Sequence, residues 1–179
     1  GAAFFGNDNI AEFIEPGELE LLQQEVESKF REVLNSMLID VNNDHNAVGT
    51  PKRFAKMMLQ ELYRGRYHPE PDVTEFPNVT QADEMYVVGP ITIRSACAHH
   101  MAPITGSAWV GILPSKSLIG LSKFHRIIDH ICSRAQIQEE MTMQIADAIE
   151  GLTTPAGLAV LVKAHHQCCS HRGVKDKDS

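Results

Sequence analysis

The sequence predicts an α+β protein built around an antiparallel sheet. Helices and strands occur in separate blocks, because helical patterns fill residues 18–63 and 122–152 while β-rich runs fill most of residues 85–113. Two of these runs, 85–94 and 104–113, alternate in polarity and follow one another like the strands of a hairpin. Blocks of helices beside hairpin-like strand pairs are typical of the α+β class.

Length and composition predict one globular domain. The chain has 179 residues, of which 43% are hydrophobic and 22% are charged, as in an ordinary globular protein. The first residues lack a regular pattern, so we expect residues 1–17 to be a flexible segment. Residues 18–179 are predicted to form the domain, with N-terminal helices at 18–63 and an α+β core at 84–174.

Charge and cysteine usage exclude several classes of protein. A formal net charge of −7 argues against a nucleic-acid binder, which normally carries a basic excess. There is no apolar stretch of roughly 20 residues to span a membrane and no secretory signal at the start, where Gly1 suggests a processing remnant. Four cysteines, two of them adjacent, do not resemble a disulfide framework, so we expect a reducing cytoplasm.

The N-terminal half is predicted to be helical. Apolar residues from Leu21 to Leu38 recur at helical spacing, which predicts an amphipathic helix over 18–38. Residues 40–49 are rich in Asn and Asp and are predicted to form a loop. A second helix is predicted from Thr50, as N-cap, with Pro51 at the first helical position, to about Tyr63. Residues 64–84 contain prolines and are predicted to be a long connection.

The C-terminal half is predicted to mix strands and helices. The strands at 85–94 and 104–113 flank a run of cysteine and histidine, and a turn follows at 114–117. Helices are predicted over 122–134, with Ser122 as its cap, and over 138–152. Residues 153–157 interrupt the second helix, and the apolar strand 158–164 leads into a second cysteine and histidine run.

Those two runs are candidates for a metal site. Cys97-Ala98-His99-His100 and His165-His166-Gln167-Cys168 together hold four of the nine histidines. Thiolate and imidazole are the ligands that Zn²⁺ prefers, and a shell of three protein ligands leaves a position for chemistry. Spacing favours Cys97 and His100 with one or two of His166, Cys168 and Cys169; the alternative is buried free cysteines and core histidines.

Basic residues form a second candidate group. Arg53 and Lys56 are three apart on one helix face, and Lys123 and Arg126 are three apart where another helix begins. The first-turn N–H groups of a helix also attract anions. Arg172 follows the second cysteine and histidine run. These five side chains are either solvated surface charges or the ligands of one polyphosphate, and spacing does not choose between the two.

The acidic residues at the start of the helix over 138–152 allow two interpretations of their role. Gln138, Glu139 and Glu140 occupy its first turn, where carboxylates interact favourably with the helix dipole. The carboxylate of Glu139 can instead accept the paired N–H donors of a guanine edge. The position of Glu139 in the first turn is compatible with both interpretations.

Taken together, these motifs resemble those of the GTP cyclohydrolase I family. The matching segments lie in order between residues 40 and 174: Thr50-Pro51-Lys52-Arg53-Phe54-Ala55-Lys56-Met57, Asp83-Glu84-Met85, Cys97-Ala98-His99-His100, Gly120-Leu121-Ser122-Lys123, Arg126-Ile127, Gln136-Ile137-Gln138-Glu139, His166-Gln167-Cys168 and Arg172-Gly173-Val174. The resemblance implies a tunnelling fold, an antiparallel sheet with helices on one face that assembles into a β-barrel ring. It also implies a homodecamer with active sites between subunits.

The resemblance further implies a role for each candidate residue. It implies that zinc is held by Cys97, His100 and Cys168, and that the catalytic histidines are His99 and His166. Guanine would be recognised by Glu139 with Gln138. The triphosphate of GTP would be held by Ser122, Lys123, Arg126 and Arg172, with Arg53 and Lys56 from another subunit. His165 and Cys169 would have no direct role.

The implied reaction is zinc-dependent hydrolysis of the GTP imidazole ring at C8, which releases formate and forms 7,8-dihydroneopterin triphosphate. Two features depart from the family pattern. The family motif is Cys-Glu-His-His, whereas this sequence has Ala98 at the glutamate position, and the family continues beyond Arg-Gly-Val with a further strand and helix. The alternatives are therefore an enzyme acting on a related purine or pterin, or a non-catalytic ring protein that binds zinc or a nucleotide.

Overall fold

The computed structural model describes residues 4–176. The first three residues of the segment predicted to be flexible, and the last three of the predicted domain, lie outside the described residues. The chain divides into two units, Asn9–Pro69 and the described residues before and after it. None of the helices described is both long enough and apolar enough to cross a membrane.

The unit Asn9–Pro69 is helical, as the sequence predicts. Its elements are a short 3₁₀ turn at Ala11–Phe13, helix α1 at Glu18–Ser36, helix α2 at Thr50–Lys56, a π-helical segment at Met57–Leu62 and helix α3 at Arg64–Tyr67. The rings of Phe30 on α1 and Phe54 on α2 stack with centroids 3.7 Å apart. This contact partly covers the apolar face that the periodicity identified on α1, of which Leu34 is buried while Leu21 and Val33 stay exposed.

Two details of the second predicted helix are wrong. Gly49, and not Thr50, is the N-cap, and no side-chain cap is formed, because glycine has no side chain that could accept a first-turn N–H. The helical backbone also continues to Tyr67, within the predicted connection. No proline stands between Pro51 and Pro69 to stop it.

The other unit contains two sheets and two long helices. Its elements are β1 at Glu75–Pro77, β2 at Tyr86–Cys97, β3 at Pro103–Leu113, β4 at Ser117–Ile119, α4 at Leu121–Cys132, β5 at Ala135–Gln136, α5 at Gln138–Thr153, β6 at Gly157–His166 and α6 at Gln167–Ser170. The main sheet has the order β5-β2-β3-β6, and β1 pairs with β4. The predicted strands at 85–94, 104–113 and 158–164 are confirmed.

The main sheet is antiparallel except at one edge. Strands β2 and β3, and β3 and β6, run antiparallel, whereas β5 pairs parallel to β2. The sequence did not predict β1, β4 or β5, because strands of two or three residues are too short to show a period of two. The α+β class is therefore right, and the sheet is mixed.

One face of the main sheet carries the core. Helices α4 and α5 pack there, and buried residues of the sheet and the helices form one cluster that includes Ile91, Ile93, Val110, Phe124, Ile128, Met141 and Ile145. Burial alternates along β2 and β3, as expected for strands with one covered face. The cluster fixes where the ends of β2, β3 and β6 lie.

The predicted bounds of α4 need two corrections. Ser122 is not the cap, because the helix begins at Leu121 after an extended Gly120 whose carbonyl accepts the Lys123 N–H at 2.8 Å. The helix also ends at Cys132 rather than at residue 134. The chain leaves helical geometry there because Ala135 and Gln136 pair with the end of β2.

Candidate functional site

The register of the main sheet brings the two cysteine and histidine runs to one end of it. Ala96 at the end of β2 pairs with Pro103 at the start of β3, and Ile104 pairs with His166 at the end of β6. Gly106 permits this close pairing, because a Cβ at that position would collide with the Lys163 carbonyl oxygen of β6. Two runs about 70 residues apart in sequence thus become neighbours through strand pairing.

The turn between β2 and β3 places two predicted ligands together. The Cys97 N–H donates to the Ala102 carbonyl at 2.8 Å, and the Met101 N–H donates to the Cys97 carbonyl at 2.8 Å. Met101 has a φ of 55°, in the left-handed region that tight turns use. This turn brings His100 back towards Cys97.

Three of the candidate ligands form a cluster suited to a metal ion. The ligand atoms of Cys97, His100 and Cys168 all lie within 4.8 Å of one another. Zinc bonds of about 2.3 Å to sulfur and about 2.0–2.1 Å to nitrogen are compatible with ligand atoms this close together. Two thiolates and one imidazole form a donor set that suits zinc. The residues present therefore fit the metal that the resemblance implies.

The two residues expected to have no direct role, Cys169 and His165, contact residues of helix α6. The Cys169 sulfur is 3.9 Å from the Cys168 sulfur. The His165 Nε2 lies 2.8 Å from the Ser170 hydroxyl. Neither residue belongs to the three-ligand cluster formed by described residues.

The electrostatics of the cluster favour a cation. Burial, together with the neighbouring thiols of Cys97 and Cys169, raises the pKa of the Cys168 thiol to about 11. Thiolates so close repel one another, and a shared cation relieves that repulsion.

Arg172 donates from Nη1 to His100 Nε2 at 3.1 Å. Because a guanidinium only donates, the Nε2 lone pair of His100 accepts this hydrogen bond, and a metal ion bound at Nε2 would take the place of Arg172 there.

The two predicted catalytic histidines have different surroundings. His166 Nε2 lies 2.9 Å from Gln138 Oε1. Because an amide oxygen only accepts, this bond places the proton on Nε2 and leaves the lone pair on Nδ1. His99 is exposed, and its ring meets the His100 ring edge-on with centroids 6.3 Å apart. The structure thus places both histidines at the end of the main sheet where the predicted ligands lie.

A cleft of about 500 Å³ adjoins the turn that carries His99. Its walls are Phe5, Gly6, Asn7, Ala98, His99, Ala135, Ile137, Glu140, Met143, Gln144 and Asp147. Of the predicted site residues, His99 lines this cleft. The sequence analysis missed its polar wall, because Asn7 and Glu140 are 133 residues apart and come together only through tertiary contacts.

The predicted substrate-binding residues are only partly brought together. Arg172 contacts His100 and Gln138 contacts His166. Glu139 is exposed in the first turn of α5. Lys123 donates from Nζ to the Asp72 carbonyl at 2.7 Å.

The remaining predicted phosphate ligands show no such contact. Ser122 and Arg126 are exposed on α4, and among the described residues no hydrogen bond joins them to the metal cluster. Arg53 and Lys56 lie on α2 in the Asn9–Pro69 unit, where Arg53 donates to the Asn46 carbonyl at 3.4 Å.

Comparison with known proteins identifies the family. A family model for GTP cyclohydrolase I matches residues 26–179. A GTP cyclohydrolase 1 of Shewanella loihica is 39% identical over 161 residues, which cover 89% of this chain and 75% of the relative. One from Vibrio cholerae is 38% identical over 158 residues, covering 88% and 72% of the two chains. The chain belongs to the GTP cyclohydrolase I family.

Proposed function

We propose that the protein hydrolyses the imidazole ring of GTP at C8, releases formate and forms 7,8-dihydroneopterin triphosphate, the first step of tetrahydrofolate and pterin biosynthesis. One observation carries this proposal. A three-ligand cluster suited to zinc lies at the same sheet end as two further histidines. A structural zinc site normally has four protein ligands, whereas three ligands with proton-handling groups nearby favour catalysis.

The metal-binding residues in this proposal are Cys97, His100 and Cys168. Zinc held there supplies Lewis-acid activation of a water molecule at neutral pH. Cys97 is buried and Cys168 lies on the short helix α6, so the ligands come from two separate elements of one sheet end. This arrangement links metal binding to the folded state of the sheet.

The two histidines handle protons. His166 holds a proton on Nε2 against Gln138 and has its lone pair on Nδ1, so the neutral ring can accept a proton there and later return it. His99 is exposed beside the ligands and can exchange protons with substrate or solvent. Opening of the imidazole ring and release of formate both need such transfers.

In this proposal a carboxylate binds the guanine end of GTP, and mainly basic side chains bind its triphosphate end. Glu139 would accept the N–H donors of guanine, and Gln138 would assist while it orients His166. The triphosphate would be bound by Ser122, Lys123, Arg126 and Arg172, with Arg53 and Lys56 from another subunit. Arg172 also contacts His100, so phosphate binding at this residue would position the guanine ring near the metal ligands.

We also propose a homo-oligomeric ring, with a decamer as the expected assembly. Strand β6 has ten residues and forms an edge of the described main sheet, and β5 covers only two residues of the outer edge of β2. Long uncovered edges are templates for pairing with another chain. Copies paired at both edges would extend the sheet into a closed barrel. The four cysteines are free, which supports a reducing, cytoplasmic location.

The decisive experiment supplies GTP labelled with ¹³C at C8 to the zinc-loaded protein. We expect the label to appear in formate, and a product that becomes fluorescent after oxidation. ATP is the matched control substrate, because it lacks the guanine edge that Glu139 would recognise. Absence of labelled formate at every zinc concentration would contradict the proposal.

A further inference from the structure

One face of α5 lines the cleft that adjoins the β2–β3 turn. Four of its residues follow the spacing i, i+3, i+4 and i+7, namely Glu140, Met143, Gln144 and Asp147. Ala98 and His99 line the same cleft from the β2–β3 turn. Two carboxylates of α5, those of Glu140 and Asp147, therefore share one cleft with Ala98 and His99.

A chain of three hydrogen bonds connects Ala98 to Glu140. The Ala98 N–H donates to the Gln136 carbonyl at 2.9 Å. Asn7 Nδ2 donates to Gln136 Oε1 at 3.3 Å and to Glu140 Oε2 at 2.6 Å. Glu140 is thus the carboxylate that these hydrogen bonds link to Ala98, whereas Asp147 lies seven residues, or about 10 Å, further along the helix.

The groups that hold Glu140 are themselves fixed. Gln136 is completely buried, and its Nε2 donates to the Ile131 carbonyl and to Gln144 Oε1, both at 2.8 Å. Arg134 donates to the Asn7 carbonyl at 3.2 Å, which holds the segment before α1 on this wall. The buried and paired Gln136 side chain restricts the position of Asn7. Asn7 in turn holds the exposed Glu140 carboxylate by one hydrogen bond.

We propose that Glu140 supplies, from α5, the carboxylate that Ala98 lacks in the Cys-Ala-His-His turn, and that Asn7 positions it. The methyl group of Ala98 can accept no hydrogen bond, whereas a carboxylate in the same cleft can accept the O–H donor of a water molecule between it and His99, and so position that histidine. Glu140 is thus a positioning residue for the reaction. The inference rests on the proposed function.

The first test is steady-state kinetics of formate release by Glu140→Gln. Removal of a positioning group near a metal site typically costs about 10- to 100-fold, so we expect kcat to fall by that factor while KM for GTP changes by less than about threefold. Glu150→Gln is the matched control, because Glu150 is exposed on the same helix and does not line the cleft. Its kcat should equal that of the unmodified protein.

The second test moves the carboxylate. In the double variant Ala98→Glu with Glu140→Gln we expect kcat to recover to within about fivefold of the original value. A merely structural role for Glu140 would not be rescued from another element. Zinc content, measured by metal analysis, should be the same in all variants.

Each outcome has a definite meaning. An unchanged kcat for Glu140→Gln, no recovery in the double variant, or loss of zinc from Glu140→Gln would each overturn this inference while GTP activity stands. If the unmodified protein releases no formate from GTP, the proposed function and this inference fail together. Should Glu140→Gln fail to fold in a thermal melt, Asn7→Ala tests the same positioning, and an unchanged kcat there would overturn it.

Discussion

Two regions of the protein each contain a buried thiol, and the two thiols have very different neighbours. Cys132, at the end of α4, is fully buried in the core, and its sulfur lies 3.5 Å from the Met141 sulfur. Cys97 is also buried, with 4% of its surface exposed, but it shares the end of the main sheet with His100 and Cys168. Burial alone therefore does not distinguish a metal ligand from a core residue.

The two regions differ in what raises the pKa of their thiols. Burial raises the pKa of Cys132 to about 12, with the charge of Arg134 acting in the opposite direction. For Cys168, two neighbouring thiols add to the effect of burial. Several thiols that destabilise one another's anions are the groups that a shared cation stabilises, whereas an isolated buried thiol behaves as a small apolar side chain.

The largest expected effect comes from removing a ligand in the metal region. Cys168→Ser should lose bound zinc, and formate release should fall by roughly a thousandfold, because a hydroxyl is a much weaker zinc ligand than a thiolate. Metal analysis and formate detection measure the two effects. Cys132→Ala is the matched control and should keep its zinc. A Cys168→Ser variant with zinc and activity intact would refute the ligand assignment.

A second substitution separates metal binding from proton transfer within the same region. His166→Ala should lower kcat by about 100-fold or more, since a positioned acid or base typically contributes that much, while zinc content stays unchanged. Gln138→Ala, which removes the partner of His166 Nε2, should cost less. Loss of zinc from His166→Ala would show that this histidine is a ligand instead.

In the core region, the same kind of change should affect stability alone. Cys132→Ala leaves a small cavity beside Met141 and should lower the free energy of unfolding by about 1–2 kcal/mol. A thermal melt should therefore shift down by a few degrees. Formate release measured well below the melting temperature should be unchanged. A large loss of activity would mean that the two regions are coupled.

The smallest expected effect is a difference in alkaline stability. The folded-state pKa of Cys132, about 12, lies above its ordinary value of 9.0. Below pH 9 the thiol is neutral in both states, so its contribution to stability is fully present; above this pH the unfolded chain ionises first and stability falls. At pH 10 the loss is about 1 kcal/mol. Urea unfolding at pH 8 and about pH 10 should show this extra loss in the unmodified protein and not in Cys132→Ala.

The sequence predicted the long elements well because their patterns are long. Helices α1, α4 and α5 and strands β2, β3 and β6 each extend over enough residues to show a period. Ser122 as a cap was wrong because the preceding backbone closes the first turn through Gly120. Strand β5 was not predicted, because two residues are too few to show an alternating pattern. Its extended conformation results from pairing with Ala96 and Cys97.

The candidate site divides in the same way. Local spacing identified the Cys97–His100 turn and the histidines beside the ligands. It left open whether His166, Cys168 or Cys169 completes the metal cluster. The contacts of Gln138 with His166, of Arg172 with His100 and of Asn7 with Glu140 have no local signal. They join residues between 28 and 133 positions apart.

The sequence by itself thus determined the α+β class, the types of metal-binding side chain and the family that the motifs resemble, because these depend on residue identity and short-range periodicity. Only the tertiary structure decided that Cys168 joins Cys97 and His100, and that Glu140 faces the cleft beside Ala98. Both depend on strand register and on the packing of α5, which place distant residues within the few ångströms over which ligands and hydrogen bonds act.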